Sequence, residues 1–458
     1  VTRHAQPNLK NTTHARTHTH IHAHTQTHKH TTILISFSPA LVREMPDVCR
    51  RSSCSTTKPL NQPSLRPLFS ILALVVFVYI SPTTCALPFK YFSYPELASH
   101  LKSSHNSHPR FARLTTSQEK YHLPTVGTCG GSNPCLNYLL TLDDYTNLNP
   151  YSPDVFVSGE LHGDETVGPP TTLYLSDILL TAGECALTYF PSRDESSSAW
   201  CETWFDQWGY DEPWLLFSSR MLATRRILLS PASNALGFHQ TKRTEAGIDP
   251  NRDFPYDQKP SNCLKTVCAR HLYSIFSDSL VQLSLTFHGG MTAIGYEWGA
   301  PSHNQQGTVS PDHSAQAAIA TSQSLYAGTF SGEKTYPTGP MNSVVYAVKG
   351  GFEDWAYAST WDTSHTVTCA PPTYGGYSQP AVGEGGRAFN ILVEANKIKK
   401  PREQDLGSWE DVFWGGSGGN GHVTRNVRLS LVTLDYAKPY VELLTVNGGN
   451  VLDWDSVA

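Results

Sequence analysis

Long apolar runs, paired C-x-x-C cysteines and an excess of basic charge are all missing from this 458-residue chain. A membrane-spanning helix needs about 20 consecutive apolar residues. The nearest approach, Leu68 to Ile80 with Ser70 inside it, is too short, so no obligatory membrane span is expected in the visible chain. An uncleaved signal anchor and membrane anchoring through a segment beyond Ala458 stay open. Without C-x-x-C spacing the ten cysteines do not read as a cysteine zinc cluster. The formal net charge is -5. Up to Ala86 there are nine Lys/Arg and two Asp/Glu, which leaves 25 basic and 37 acidic residues, net -12, for the remainder. An acidic body argues against nucleic acid as a partner.

Methionine is absent before Met45, and His14 to His30 alternates histidine and threonine as a translated dinucleotide repeat would. Residues 1–44 are therefore expected to be non-native or disordered, with a histidine-rich metal scavenger as the alternative. Residues 45–86 read as a secretory signal peptide. Arg50, Arg51, Lys58 and Arg66 precede the apolar run, and Thr83-Thr-Cys-Ala86 ends in small residues. A secreted or extracellular location follows as an expectation. Beyond the leader, Cys129/Cys135, Cys185/Cys201 and Cys263/Cys268 fall into three local pairs, each plausible as a loop staple. Cys369 is left over, either free or bonded to something else.

With 39% hydrophobic residues and 49 aromatics, the remainder can build a substantial core. Tyr138–Leu142, Val155–Val157, Arg225–Ser230, Leu280–Phe287 and Ala388–Val393 read as strands. Thr166–Thr181, Cys268–Asp278, His313–Tyr326 and Val423–Ala437 read as helices. Ala182 to about Met221 reads as an irregular insertion. Strands alternating with helices predict an α/β domain over 87–438 with a mixed, largely parallel central sheet flanked by helices. Residues 439–458 read as a linker or the truncated start of a small C-terminal β domain, or as a frayed tail.

Candidate site residues gather where strands end. His162 and Glu165 follow the Val155 strand, in Gly159-Glu-Leu-His-Gly-Asp-Glu165. They offer an imidazole nitrogen and a carboxylate oxygen three residues apart, and a distant histidine would complete a three-ligand zinc site with one open position. The H-x-x-E pattern is weak by itself. However, His288 follows the strand ending at Phe287, and Glu394 follows the one ending at Val393. Open α/β sheets bind ligands beyond the carboxyl ends of their strands. Asn251-Arg252 sits in a proline-bounded loop and can grip a carboxylate. Tyr346 precedes the Gly350-Gly351 pair, which suits a mobile phenol.

Taken in order, these stretches resemble the zinc metallocarboxypeptidases, and among them the regulatory carboxypeptidase N and E branch. The matching segments are His162-Gly-Asp-Glu165, Asp249-Pro-Asn-Arg-Asp-Phe-Pro255, Phe287-His-Gly-Gly290, Gly350-Gly-Phe-Glu-Asp-Trp355, Glu394 with Lys400-Pro401, and Trp409-Glu410. The resemblance implies a carboxypeptidase-like fold and one zinc ion on His162, Glu165 and His288. It implies Glu394 as general base and later general acid, and Arg243 polarising the scissile carbonyl. Asn251 and Arg252 would hold the terminal carboxylate of a peptide or protein substrate, and Tyr346 would close over it. The expected activity is a secreted zinc exopeptidase releasing single C-terminal amino acids. Glu353 occupies the position that lines the side-chain pocket, where a carboxylate would favour Lys or Arg; an outward-facing acid is the alternative. A catalytically silent zinc-binding or adhesion module and a deglutamylating carboxypeptidase are the competing functions. Asp164 and Asp253 depart from the family pattern and are expected to alter subsite charge. The stretch from Trp355 to Arg387 is long and reads as a lid or a partner surface.

Overall fold

The computed structural model describes residues 88–192, 201, 212–305, 308–330, 332–371, 373–374, 377–378, 387–414, 420–437, 445–446 and 449–450. The chain divides into two units, 73–439 and a second made of 1–72 with 440–458. In the second unit the described part is one antiparallel pair, Thr445–Val446 with Gly449–Asn450. The expected low-complexity segment and signal peptide lie outside the described residues, as does most of 439–458.

The larger unit is built on eight strands: β1 (Ala112–Thr116), β2 (Tyr138–Leu142), β3 (Asp154–Ser158), β4 (Arg226–Ser230), β5 (Val281–His288), β6 (Ala293–Tyr296), β7 (Thr338–Pro340) and β10 (Phe389–Glu394). Two short strands, β8 (Thr373–Tyr374) and β9 (Tyr377–Ser378), pair separately. The sheet order is β1-β2-β4-β3-β5-β10-β6-β7. Its centre, β4-β3-β5-β10, is parallel. The β1-β2, β2-β4 and β10-β6 pairs are antiparallel. The mixed, largely parallel sheet expected from the sequence is present.

Alternation along the strands separates two cores. Val155, Val157, Ile227, Leu229, Leu283, Leu285, Ile391 and Val393 face one layer. That layer is made by α1 (Tyr94–Ser107), α3 (Gly168–Ser192), α4 (Glu212–Thr224), α7 (His313–Ala327) and α11 (His422–Tyr436). Phe156 and Leu228 face the other, which contains α6 (Val267–Asp278) and α9 (Phe352–Ala358). Val155, Phe156 and Val157 are fully buried; burying a side chain of this kind contributes roughly 1.5–3 kcal/mol. Strands covered on both faces read as continuous apolar runs, which is why these were legible.

Three expectations need correction. The stretch Ala182–Met221 is not simply irregular, because α3 continues to Ser192 and α4 begins at Glu212. Leu215, Met221 and Leu222 of α4 are buried. A Cβ on Gly183 of α3 would lie 2.7 Å from Leu222 Cδ1, so the glycine permits this close approach. The cysteine pairing also differs. Cys129–Cys135 and Cys185–Cys201 form as expected, but Cys263 bonds Cys369, 106 residues away, and Cys268 is free and buried. The segment after α9 folds back along the 255–264 loop, with Ala370 N–H donating to Pro260 O at 2.9 Å, and so delivers Cys369 to Cys263. Cys268 is instead held in the first turn of α6, facing the core. Third, Asp253 has a structural job. It accepts from Thr266 N–H at 2.7 Å and from its hydroxyl at 2.8 Å, at the N-cap of α6.

His271 of α6 carries a pH prediction. It is fully buried, hydrogen-bonded to Ser117 and, at 2.8 Å, to Ser230. Burial pushes its imidazole down to about 3. In the unfolded chain it takes a proton near pH ~6.5. Between these values the unfolded state binds more protons, so the histidine's contribution is complete above pH ~6.5 and is lost as pH falls toward 3, at up to about 1.4 kcal/mol per pH unit. Urea unfolding of His271→Gln is expected to show a shallower stability loss between pH ~6.5 and ~5 than wild type; equal slopes would contradict the assignment.

Candidate metal centre and active site

The site occupies the carboxyl ends of the three central parallel strands. After β3 the chain moves outward to β4, and β5 then lies on the other side of β3, so a topological switch falls between β3 and β5. His162 and Glu165 lie in the turn leaving β3. A Cβ on Gly163 would come within 1.9 Å of the Gly237 backbone, so this turn needs glycine there. His288 and Glu394 are the last residues of β5 and β10, and they are register partners in the parallel pair.

Three donor atoms converge. Glu165 Oε2 is 3.0 Å from both His162 Nδ1 and His288 Nδ1, which are 3.1 Å from each other. Neighbouring corners of a tetrahedron of ~2.0–2.1 Å zinc bonds lie about 3.3 Å apart. All three residues are buried. The second nitrogen of each ring lies near a carboxylate on its outer side. His162 Nε2 is 2.9 Å from Asp249 Oδ1, and His288 Nε2 is 3.4 Å from Glu353 Oε1. With an ion held by the two Nδ1 atoms, each Nε2 would keep its hydrogen and direct it toward these carboxylates. Two imidazole nitrogens and one carboxylate oxygen at this spacing fit zinc as a donor set. Burial would raise the Glu165 carboxyl, yet the His162 and His288 imidazoles outweigh burial and hold it well below its ordinary range.

A cavity of about 240 Å³ opens over this cluster, lined by His162, Glu165, Arg243, Asn251, His288, Tyr346, Glu353 and Glu394 among others. Arg243 donates from Nη1 to Glu165 Oε1 at 3.2 Å and from Nε to Asp249 Oδ2 at 2.9 Å. Glu394 is buried, and its Oε2 has no hydrogen-bond partner. Burial raises its carboxyl; His288 pulls it down and Glu165 pushes it further up. Tyr346 is 48% exposed, unlike a packed core tyrosine.

Two predicted substrate contacts are placed less simply. Arg252 is not on the cavity wall. It sits behind, 5.9 Å from the Tyr346 ring centroid, with Nη1 donating to Asn251 O at 2.6 Å. Asn251 is on the wall, but its side chain is engaged: Nδ2 donates to Glu353 Oε2 at 3.2 Å, and Oδ1 accepts from Phe352 N–H at 2.7 Å. Glu353 is 1% exposed, so it is not an outward-facing acid.

Sequence reasoning missed two residues. Asp249 orients both His162 and Arg243; its position two residues before Asn251, inside the quoted motif, was the available signal. Lys399 contacts Glu165 Oε1 at 3.2 Å and Asp164 Oδ2 at 2.9 Å. That pair neutralises the acid at 164. The acid at 253 lies outside the main cavity, where burial pushes its carboxyl up to about 6.

Two imidazoles and two carboxylates gathered at the strand ends of a central sheet are the donor set and neighbouring acid that a single-zinc hydrolase needs. Residues 230–382 match the family model described as zinc carboxypeptidase, so this third of the chain is similar to that family. The matched segment contains Arg243, Asn251, Arg252, His288, Tyr346 and Glu353, while His162, Glu165 and Glu394 lie outside it. No curated protein matches the chain. Similar solved structures include thrombin-activatable fibrinolysis inhibitor, at 13% identity over 76% of this chain and 75% of that one, TM-score 0.47. The bovine inhibitor in complex with tick carboxypeptidase inhibitor gives 12% identity, 76% and 97% coverage and TM-score 0.43. Carboxypeptidase A from Helicoverpa armigera gives 14% identity, 76% and 75% coverage and TM-score 0.45.

Proposed function

We propose that the protein is a secreted exopeptidase that binds one catalytic zinc ion on His162, Glu165 and His288 and releases single amino acids from peptide C-termini. The observation that carries this reading is the meeting of two imidazole nitrogens and a carboxylate oxygen beside the unpartnered oxygen of Glu394. A bound zinc ion supplies a Lewis acid for the scissile carbonyl and lowers the pKa of water toward ~7. Glu394 takes the proton of the attacking water and passes it to the leaving amine nitrogen. Arg243, fixed by two carboxylates, donates to the carbonyl oxygen as negative charge develops there. Arg252 and Asn251 receive the terminal carboxylate, and the exposed Tyr346 ring covers it. This arrangement requires Arg252 to turn toward the cavity when substrate arrives.

The leader at residues 45–86 would export the domain at 87–438 to an oxidising compartment, which agrees with three disulfides. The described residues contain no helix long and apolar enough to cross a membrane. The order of the Gly350–Trp355 and Trp409-Glu410 motifs supports the regulatory N and E branch. An intact set of ligands, base and arginine disfavours a silent module.

The test is zinc-dependent release of a C-terminal residue, lost on chelation, restored by zinc and absent with C-terminally amidated peptides. Arg252→Ala should lower kcat/KM by roughly 10- to 100-fold, the worth of a charge-assisted hydrogen bond. Undiminished cleavage of amidated peptides would mark an endopeptidase instead. A basic-residue preference is supported by the Glu353 carboxylate on the wall. An apolar preference is supported by Met291, Met341, Val345, Val348 and Leu392 around it and by the bonds Glu353 already makes. Comparing C-terminal Lys and Arg with Leu and Phe separates the two.

A further inference from the structure

A second group of metal-ligating side chains lies apart from His162, Glu165 and His288, and consists of His303, Asp362 and His365. His303 ends the turn Pro301–His303 beyond β6, whereas Asp362 and His365 come from the segment after α9. Asp362 Oδ2 is 2.9 Å from His303 Nε2 and 2.8 Å from His365 Nδ1. The Tyr256 hydroxyl, from the loop beyond Arg252, is 2.6 Å from the same oxygen and 3.0 Å from His303 Nε2.

This group repeats the geometry of the first site. There, one carboxylate oxygen stands 3.0 Å from two imidazole nitrogens whose rings are 4.8 Å apart and inclined at 60°. Here, one carboxylate oxygen bridges two imidazole nitrogens whose rings are 4.7 Å apart and inclined at 64°. The members are held in place. His303 stacks on Trp298 with centroids 3.8 Å apart, and Asp362 Oδ1 accepts from the Ser364 hydroxyl at 2.7 Å. The His365 side chain is 32% exposed, which gives an ion access from solvent.

We infer that His303, Asp362 and His365 bind a second divalent transition-metal ion, zinc by ligand type, with the Tyr256 hydroxyl or water in the fourth position. Two imidazoles and one carboxylate suit zinc, whereas calcium and magnesium call for shells of oxygen. The position gives the ion its role. Asp257 N–H donates to His365 O at 2.8 Å and Val367 N–H to Pro255 O at 3.0 Å, beside the Cys263–Cys369 disulfide. Gly350 N–H donates to Tyr256 O at 3.0 Å, and Phe254 N–H to Gly350 O at 3.1 Å. The ion therefore clamps the segment after α9 behind the loop that carries Asn251, Arg252 and the approach to Glu353. It is a structural clamp and takes no part in the reaction. This role rests on the proposed exopeptidase site, although the binding of the ion does not.

The test is zinc per chain, measured by elemental mass spectrometry on full-length protein dialysed from zinc. His303→Ala and His365→Gln should each hold one equivalent fewer than wild type. Glu165→Ala should lose a different equivalent, and Glu165→Ala/His365→Gln should lose two. Comparison among full-length chains cancels any zinc held by the His14–His30 repeat. Retained peptide release by His365→Gln shows that the variant folds. Unchanged zinc in both histidine variants overturns the inference and leaves a hydrogen-bonded latch. Unchanged zinc in Glu165→Ala instead refutes the catalytic site and leaves the second site standing.

Discussion

Replacing Glu394 with glutamine is expected to lower kcat for release of a C-terminal residue by ~10²–10⁴-fold, the usual worth of a general acid–base group, with zinc still bound. Glutamine keeps the shape of the side chain and removes its ability to take a proton. Glu394 suits that work because it stands beside the metal cluster without belonging to it. Its Cα is register-paired with that of His288, yet its Oε2 meets no donor. Burial, the main influence on its carboxyl, raises its affinity for protons. Zinc content and turnover measured on the same preparation check the assignment. Loss of zinc together with turnover would make Glu394 a ligand, and full turnover would place the base elsewhere.

Glu165→Ala is expected to abolish both zinc binding and peptide release. The carboxylate uses both oxygens: Oε2 faces two imidazole nitrogens at 3.0 Å, and Oε1 meets Arg243 and Lys399, each at 3.2 Å. Its removal leaves two cationic side chains and two imidazoles around a cavity without the anion that organised them. Asp249→Asn should be milder. It weakens the outer contact that fixes the His162 tautomer while keeping all three ligands, so zinc affinity should fall by about 10- to 100-fold. Equilibrium zinc titration against a competing chelator ranks the three proteins. Equal affinity of Asp249→Asn and wild type would show that His162 is oriented by other means.

The candidate site was legible because its parts are strand ends and short motifs. Val155–Val157, Leu280–Phe287 and Ala388–Val393 are apolar enough to be read as buried strands, and a candidate ligand or base follows the first within five residues and the other two immediately. The edge of the sheet was less legible. Ala112–Thr116 is half polar and becomes β1 because β2 offers it a partner, with Thr116 opposite Tyr138. The strand Thr338–Pro340 is three residues long and, among the described residues, pairs with β6 alone. Helix α4 was hidden within a Ser- and Trp-rich stretch, and its apolar face acquires meaning only against α3.

The sequence by itself determined the central strands and the helices between them and marked His162, Glu165, His288 and Glu394 as candidates, because hydrophobic periodicity and ligand chemistry are local properties. Tertiary structure alone decided what those side chains do to one another. It turned Asp249 onto His162 and Arg243, tied Asn251 and Glu353 together, paired Asp164 with Lys399, and brought Cys369 to Cys263. It also assembled His303, Asp362 and His365 from two separate segments. Each outcome depends on the distance and direction between groups remote along the chain, and those are set by sheet order and loop packing.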